Sequence, residues 1–350
     1  NRAHKMRYVA PQVLIAALLS ALLGVLCLAL TLGTVELSVG DLWRTLIGQA
    51  QGPRADNFHT IVFDIRLPRI LLALCIGAIL ALSGAVMQGL FRNPLADPSL
   101  IGVSSGASVG ASLAIVFSAG LLQTNAWIGL SVVAFGAFAG GLLATLLVYR
   151  LATSEFGTSV TTMLLAGIAI GAIAGSLNGL LSYFSNDALL RQMSIWQMGN
   201  LSTANWSRLL PVAVALCVLL VALPRVGLAL NALLLGESEA RHLGINVQRV
   251  KRQLIVATAL GIGMAVAVAG LIGFVGLVVP HLIRLLIGPD HRWLLPASAL
   301  GGAMLLIIAD TLARVVASPA ELPIGILTAL IGAPLFIGLL VRQRRELQLW

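Results

Sequence analysis

Asp310 and Arg314 stand four residues apart in an otherwise apolar run, a spacing that sets a carboxylate and a guanidinium on one helix face. Such an acid inside a membrane helix either titrates to drive ion-coupled transport or neutralises its neighbour as an internal pair near the outer end. His281, directly after Pro280, is a second candidate proton relay, or else a packed, hydrogen-bonded side chain. Arg66 and Arg69 flank Pro68 at the mouth of another apolar run, and proline suits a first helical turn. These two arginines either snorkel at the interface or join Arg314 in a basic rim that receives an acidic partner.

Other reactive constellations are missing from the sequence. Neither lysine, Lys5 or Lys251, follows a glycine, so the chain lacks the Gly-Lys of a phosphate-cradling P-loop. There is no HExxH pair to hold a catalytic zinc. Cys27, Cys75 and Cys217 lie far apart in apolar segments, without metal-ligand spacing, and read as small core residues. Neither catalysis, a metal site nor a permanently bound cofactor is expected.

The elements that hold these residues are membrane spans. Hydrophobic residues make up 59% of the 350, charged residues only 10%, and mean hydropathy is +0.99. Soluble domains carry about 25% charge, so this chain cannot coat a water-facing globule. The reading is an all-α integral membrane protein, one permease-like domain over 1–350. Apolar runs predict ten transmembrane helices, near 11–33, 66–88, 99–118, 126–150, 160–183, 206–223, 253–272, 277–287, 294–313 and 324–341. The first exceeds the roughly 7–15 residues of a signal h-region and is expected to be retained. The eighth is short and interrupted by Pro280.

Basic residues decide whether that eighth segment crosses. With ten spans and both termini cytoplasmic, 15 of the 22 fall inside and 7 outside; without the eighth crossing the split is 11 to 11. The positive-inside bias therefore favours ten. It also accounts for the net charge of +9 without a nucleic-acid partner.

Glycines recur every fourth position: Gly102, Gly106 and Gly110; Gly136 and Gly140; and Gly167, Gly171, Gly175 and Gly179. Such stripes let helices approach closely in lipid, or, in the fifth span, leave a thin face lining a path. The longest cytoplasmic connection, 225–252, contains LLLGESEARHLGIN. Gly236 and Gly244 bracket a short amphipathic helix suited to docking a cytosolic protein.

The run RLPRILLALCIGAILALSGAVMQGLFRNPLADPSLIGVSSGA (66–107) resembles the most characteristic stretch of FecCD-type permeases, the membrane subunits of type II ABC importers for iron chelates, haem and vitamin B12. LLAGIAIG, LGESEARHLGI, GFVGLVVPHLIRLL, DHRWLLPASALGGA and ELPIGILTALIGAPLFI continue the likeness in order. The resemblance implies ten helices per subunit and a homodimer in a bacterial inner membrane. It also implies two cytosolic ATPase subunits that carry the ATP site, and a periplasmic substrate-binding protein. It assigns binding-protein docking to Arg66, Arg69 and Arg314, and ATPase coupling to Gly236, Glu237, Ala240, Arg241, Leu243 and Gly244. Gate or pathway roles fall to Asn93, Leu95, Ser159, Thr161, Gly167 and Gly171. The likeness is nearest to the haem permeases, so haem or a ferric chelate is the expected cargo. Met87, Met163, Met193 and Met198 would then offer a soft lining, and His59 a transient ligand at the outer mouth. An ion-coupled secondary transporter is the alternative of another class.

Overall fold

The computed structural model describes residues 8–33, 35, 37–48, 55–120, 126–155, 157–318 and 320–347. It is a helical bundle, and the one pair of strands among the described residues, β1 (Thr153–Ser154) and β2 (Gly157–Thr158), forms a minimal antiparallel hairpin. The long helices are α1 (Pro11–Thr31), α4 (Leu67–Leu90), α5 (Val103–Phe117), α6 (Ala126–Ala152), α7 (Val160–Tyr183), α9 (Trp206–Leu235), α11 (Val247–Ala269), α12 (Val275–Ile287), α13 (His291–Val316) and α14 (Ile324–Leu347). Short helices α2 (Val39–Leu46), α3 (Ala55–His59), α8 (Asp187–Gln197) and α10 (Glu237–His242) lie between them. A helix therefore stands at each of the ten predicted spans. By length and composition six helices among the described residues are able to cross a membrane, and a seventh is the pair Trp206–Ala222 and Gly227–Leu235, bent by 60° at the break between them. Val103–Phe117, Val275–Ile287 and Ile324–Gly338 are apolar but shorter.

The structure differs from the sequence reading at several joints. The second predicted span is preceded without a break by a π-helical turn, Thr60–Arg66, and by α3. The connection 225–252 is not an open loop: α9 runs through it to Leu235, α10 follows, and α11 begins at Val247. The eleventh helix stops at Gly270, and residues 270–274 are unwound before α12 begins after Phe274, a non-glycine at φ 67°. Arg2, Lys5 and Arg7 lie outside the described residues.

Helix α4 is the hub, with nearly all of its residues buried. Its neighbours come close because glycine replaces side chains with hydrogen at the crossings. A Cβ on Gly77 would stand 2.2 Å from the Gly302 carbonyl oxygen of α13, and one on Gly302 would stand 2.3 Å from that of Gly77. Gly106 and Gly110 of α5 meet Gly140 and Gly136 of α6 in the same reciprocal way. At Gly84 a Cβ would lie 1.8 Å from the Gly276 carbonyl oxygen. Pro280, four residues on, has no N–H to give that carbonyl, so α4 packs its bare backbone against a group the proline leaves free. Lipid offers no hydrophobic drive for helix association, so this contact area supplies dispersion and Cα–H···O attraction instead.

Helix α7 behaves otherwise. Gly167 is buried, but a Cβ on Gly171 would meet only Ser105 Oγ at 3.4 Å, and one on Gly175 or Gly179 nothing within 4 Å. The far half of its stripe, Gly175 and Gly179, therefore meets none of the described residues.

Candidate functional site

At one end of the bundle, α1 terminates and leaves the carbonyls of its last turn without helical donors. Two arginines from other helices supply them. Arg66 donates to the Leu30, Thr31 and Val35 carbonyls, the Thr31 contact at 3.0 Å. Arg314 donates to Ala29 at 3.3 Å and Leu32 at 3.5 Å. Cations there also complement the negative end of the helix dipole. Gly33 makes room, since a Cβ on it would sit 2.7 Å from Arg66 Nη2.

Arg69, one turn into α4, faces Asp310 on α13. Its Nε donates to Oδ1 at 2.9 Å, and its Nη1 reaches both oxygens of Glu321 at 2.9 and 3.0 Å. Arg314 Nε stands 3.2 Å from Asp310 Oδ2. Asp310 is thus held between two guanidinium groups in a nearly sealed site, its side chain 1% exposed. The i, i+4 pair expected from the sequence is present, and Arg69 completes it from a helix 241 residues away. Both oxygens of this carboxylate are taken up by contacts with the two guanidinium groups. The open basic rim, however, is not what this chain presents. Arg66, Arg69 and Arg314 are all buried and bound internally, and only Glu321, 36% exposed, faces outward from the cluster. Burial of three cations is tolerable because two carboxylates and a helix terminus receive them.

The opposite end holds the predicted coupling and gate residues. Glycines at positive φ, Gly236 at 126° and Gly244 at 79°, bracket α10. Ala240 is buried and anchors it, whereas Glu239, Arg241, His242 and Leu243 are exposed. Glu237 turns inward: its Oε1 is 2.6 Å from Lys251 Nζ, against 3.9 Å for its i, i+4 contact with Arg241. Of the gate candidates, Asn93 is exposed, and its Oδ1 accepts from the Leu95 amide at 2.9 Å, fixing the turn that leaves α4. Ser159 caps α7, its Oγ accepting from the Thr162 amide at 3.3 Å, and Thr161 beside it is exposed. The 3-10 turn Pro98–Ile101 packs between α6 and α7.

At the same end Asp290 joins two helices. Its Oδ1 accepts from the Arg292 amide at 3.0 Å and from Asn231 Nδ2 of α9 at 2.7 Å, and Arg292 Nε bonds both its oxygens. The hydrogen bond from Arg292, reinforced by Asn231, holds the Asp290 carboxyl down at about 2, well below its ordinary range.

Other sequence candidates fall apart. Met87, Met163 and Met193 are fully buried and fill the core, and only Met198 of the four is exposed. His59 is exposed and stacks on Phe63 at 4.7 Å. His281 is half-buried, with Nδ1 unpartnered among the described residues. No cluster of three His, Cys, Asp or Glu side chains fit for a metal occurs among the described residues. Sequence reasoning passed over Glu321, Asp290 and Lys251. Only Lys251 carried a signal, as one of two lysines among 22 basic residues.

Known proteins resemble this chain along almost its whole length. It is 46% identical to the hemin transport system permease protein HmuU of Yersinia pestis over 341 residues, covering 97% of this chain and 98% of that one. It is 43% identical to the vitamin B12 import system permease protein BtuC of Citrobacter koseri, with 93% and 94% covered. A solved structure described as an inward-facing conformation of a metal-chelate type ABC transporter superposes with a TM-score of 0.82 at 36% identity, covering 95% of this chain and all of that one. The model of the FecCD transport family matches residues 19–342. By that match, and by an identity far above what fold alone requires, the chain belongs to the FecCD transport family.

Proposed function

We propose that this chain is the membrane-spanning permease subunit of a binding-protein-dependent ABC importer that moves haem across the bacterial inner membrane by alternating access. A ferric siderophore or cobalamin is the alternative cargo. The observation that carries the reading is the 46% identity to a hemin permease across 97% of the chain. The chain makes no chemical bonds in this scheme. Two copies of a separate cytosolic ATPase hydrolyse ATP and engage the α10 face, with Gly236, Glu237, Ala240, Arg241, Leu243 and Gly244 forming the coupling element.

The subunit crosses ten times with both termini cytoplasmic. Helix α12, only 13 residues and so about 20 Å long, completes its crossing with the unwound stretch at 270–274. Non-helical backbone at membrane depth is tolerated where protein surrounds it. The subunit works as a homodimer, and the open glycine face of α7, with Gly167 and Gly171 at its inner part, borders the path. Asn93, Leu95, Ser159 and Thr161 form the inner gate. A periplasmic binding protein docks at the Arg66, Arg69 and Arg314 end. Because Glu321 already holds Arg69 from the open side, an acidic side chain of that partner reaches the cluster by displacing Glu321.

The test is reconstitution into proteoliposomes with the cognate ATPase and binding protein, following ATP-dependent uptake of haem, a ferric siderophore and cobalamin in parallel. Haem uptake alone supports the whole reading. Uptake of another chelate keeps the importer and rejects haem. Absence of ATP-dependent uptake for all three, with no ATPase bound, rejects the importer.

A further inference from the structure

We infer that Lys251 is a positioning residue that ties the coupling helix to the gate loop, so that motion of α10 reaches the start of α7 through one side chain. The inference rests on the importer reading above. Lys251 lies in the first turns of α11, and its side chain is only 3% exposed. Its Nζ touches two things that belong to different moving parts. On one side is Glu237 Oε1 at 2.6 Å, on the first residue of α10. On the other is the Thr158 carbonyl, to which Nζ donates at 2.8 Å. Thr158 ends the β-hairpin, and the next residue, Ser159, is the N-cap of α7.

The grip on that loop is double. Gln248, three residues before Lys251 and on the same face of α11, accepts from the Thr158 amide N–H through Oε1 at 2.9 Å. Both polar groups of one peptide residue are therefore held by α11 side chains. Gly157, at φ 109°, lies so close that a Cβ would sit 2.2 Å from Gln248 Nε2. The hairpin closes on itself as well, through Thr153 Oγ1 and Thr158 Oγ1 at 3.0 Å. The hairpin and the cap of α7 thus move with α11.

Charge and size explain why this residue is lysine in a chain whose other cations are nearly all arginine. The site offers one carboxylate oxygen and one carbonyl, which a compact ammonium satisfies, whereas a guanidinium would bring five donors in a fixed fork. A displacement of α10 either stretches a short ion pair whose lysine is buried or carries Lys251, and with it Thr158. The second is favoured because separating the pair leaves the buried ammonium without its carboxylate, held by the Thr158 carbonyl alone. Exposed Arg241 gives Glu237 no comparable hold.

The experiment compares Lys251→Met, Lys251→Arg and Gln248→Leu with the wild type in the full reconstituted complex, using whichever of haem, ferric siderophore or cobalamin the wild type accumulates. Three quantities are read: ATPase co-purification, ATP hydrolysis, and substrate accumulated per ATP. Lys251→Met is expected to retain the ATPase and its hydrolysis while transport per ATP falls at least tenfold. Gln248→Leu moves in the same direction by less, and Lys251→Arg recovers part of the loss. Wild-type transport per ATP in Lys251→Met overturns the inference, and so does a parallel loss of ATPase association and transport, which marks a merely structural role. If Lys251→Met does not assemble, unchanged transport per ATP in both Lys251→Arg and Gln248→Leu overturns it. An inactive wild-type complex instead rejects the importer reading itself.

Discussion

Removing the Asp310 carboxylate tests the charge cluster of Arg69, Asp310 and Arg314 most directly. The acid sits between Arg69 and Arg314, both almost fully buried, and all three side chains are shielded from water. In Asp310→Leu, Arg69 keeps Glu321, but Arg314 retains only the Ala29 and Leu32 carbonyls and Thr311 Oγ1, all at 3.3 to 3.5 Å. Breaking a buried pair from one side costs about 3–5 kcal/mol, because the surviving charge stays uncompensated. The same reasoning makes Asp310→Leu/Arg314→Met less harmful than Asp310→Leu alone, by at least about 1 kcal/mol, since it withdraws the orphaned cation too. Glu321→Gln, at the exposed edge, should cost no more than about 1 kcal/mol. The assay is reversible denaturant unfolding of the purified subunit in detergent micelles, with near-equal transition slopes required for comparison. A cost below about 1 kcal/mol for Asp310→Leu, or a double variant as damaging as the sum of its single variants, would refute the account of the cluster as a mutually dependent charge network.

Glycine positions separate packing from pathway. Gly84→Ala should abolish folded expression, because its Cβ would fall 1.8 Å from a backbone oxygen and overpacking of even ordinary cores costs about 1–3 kcal/mol. Gly175→Ala, with open space around it, should leave thermal unfolding of the subunit unchanged; a large loss there would show that α7 packs differently. Glu321→Gln should tighten binding-protein docking several-fold at low salt, with the gain shrinking as salt rises; surface-immobilised complex measured at two ionic strengths would detect it, and weaker docking would sink the displacement scheme. Asp290 contributes a pH dependence of definite sign. Its carboxyl is depressed to about 2 in the fold, so its stabilisation is complete above the unfolded value near 3.9 and is lost as pH falls towards 2. The stability gap between wild type and Asp290→Asn should therefore be constant from pH 5 to 8 and close between about pH 4 and 2. A gap that changes near neutrality would contradict the assignment.

Much of this protein was legible in its residues alone. Apolar run length marks helices, because lipid forces every backbone N–H and C=O to bond within its own segment. The ten helices accordingly stand where hydropathy puts them. Gly236 and Gly244 announced the borders of α10, since both take a backbone angle that favours glycine. The spacing of Asp310 and Arg314 likewise announced their contact. The long motifs in order from 66 to 337 carried the family, and chain-wide identity agrees with it.

What the sequence alone does not determine is which helices meet and which way side chains turn. The glycine stripes of α5, α6 and α7 look alike as text, yet two interlock and the third is left open. The period-four spacing fixes a face, but only the three-dimensional arrangement supplies a partner for it. Arg66 and Arg69 read as a rim because arginine at a span's end usually reaches water. The fold instead brings α1, α13 and Glu321 around them, and acceptors 31 to 252 residues distant turn the cations inward. Glu237, Lys251 and Thr158 come together for the same reason: a hydrogen bond depends on a few ångströms in space, and nothing in the sequence encodes a distance across 93 residues.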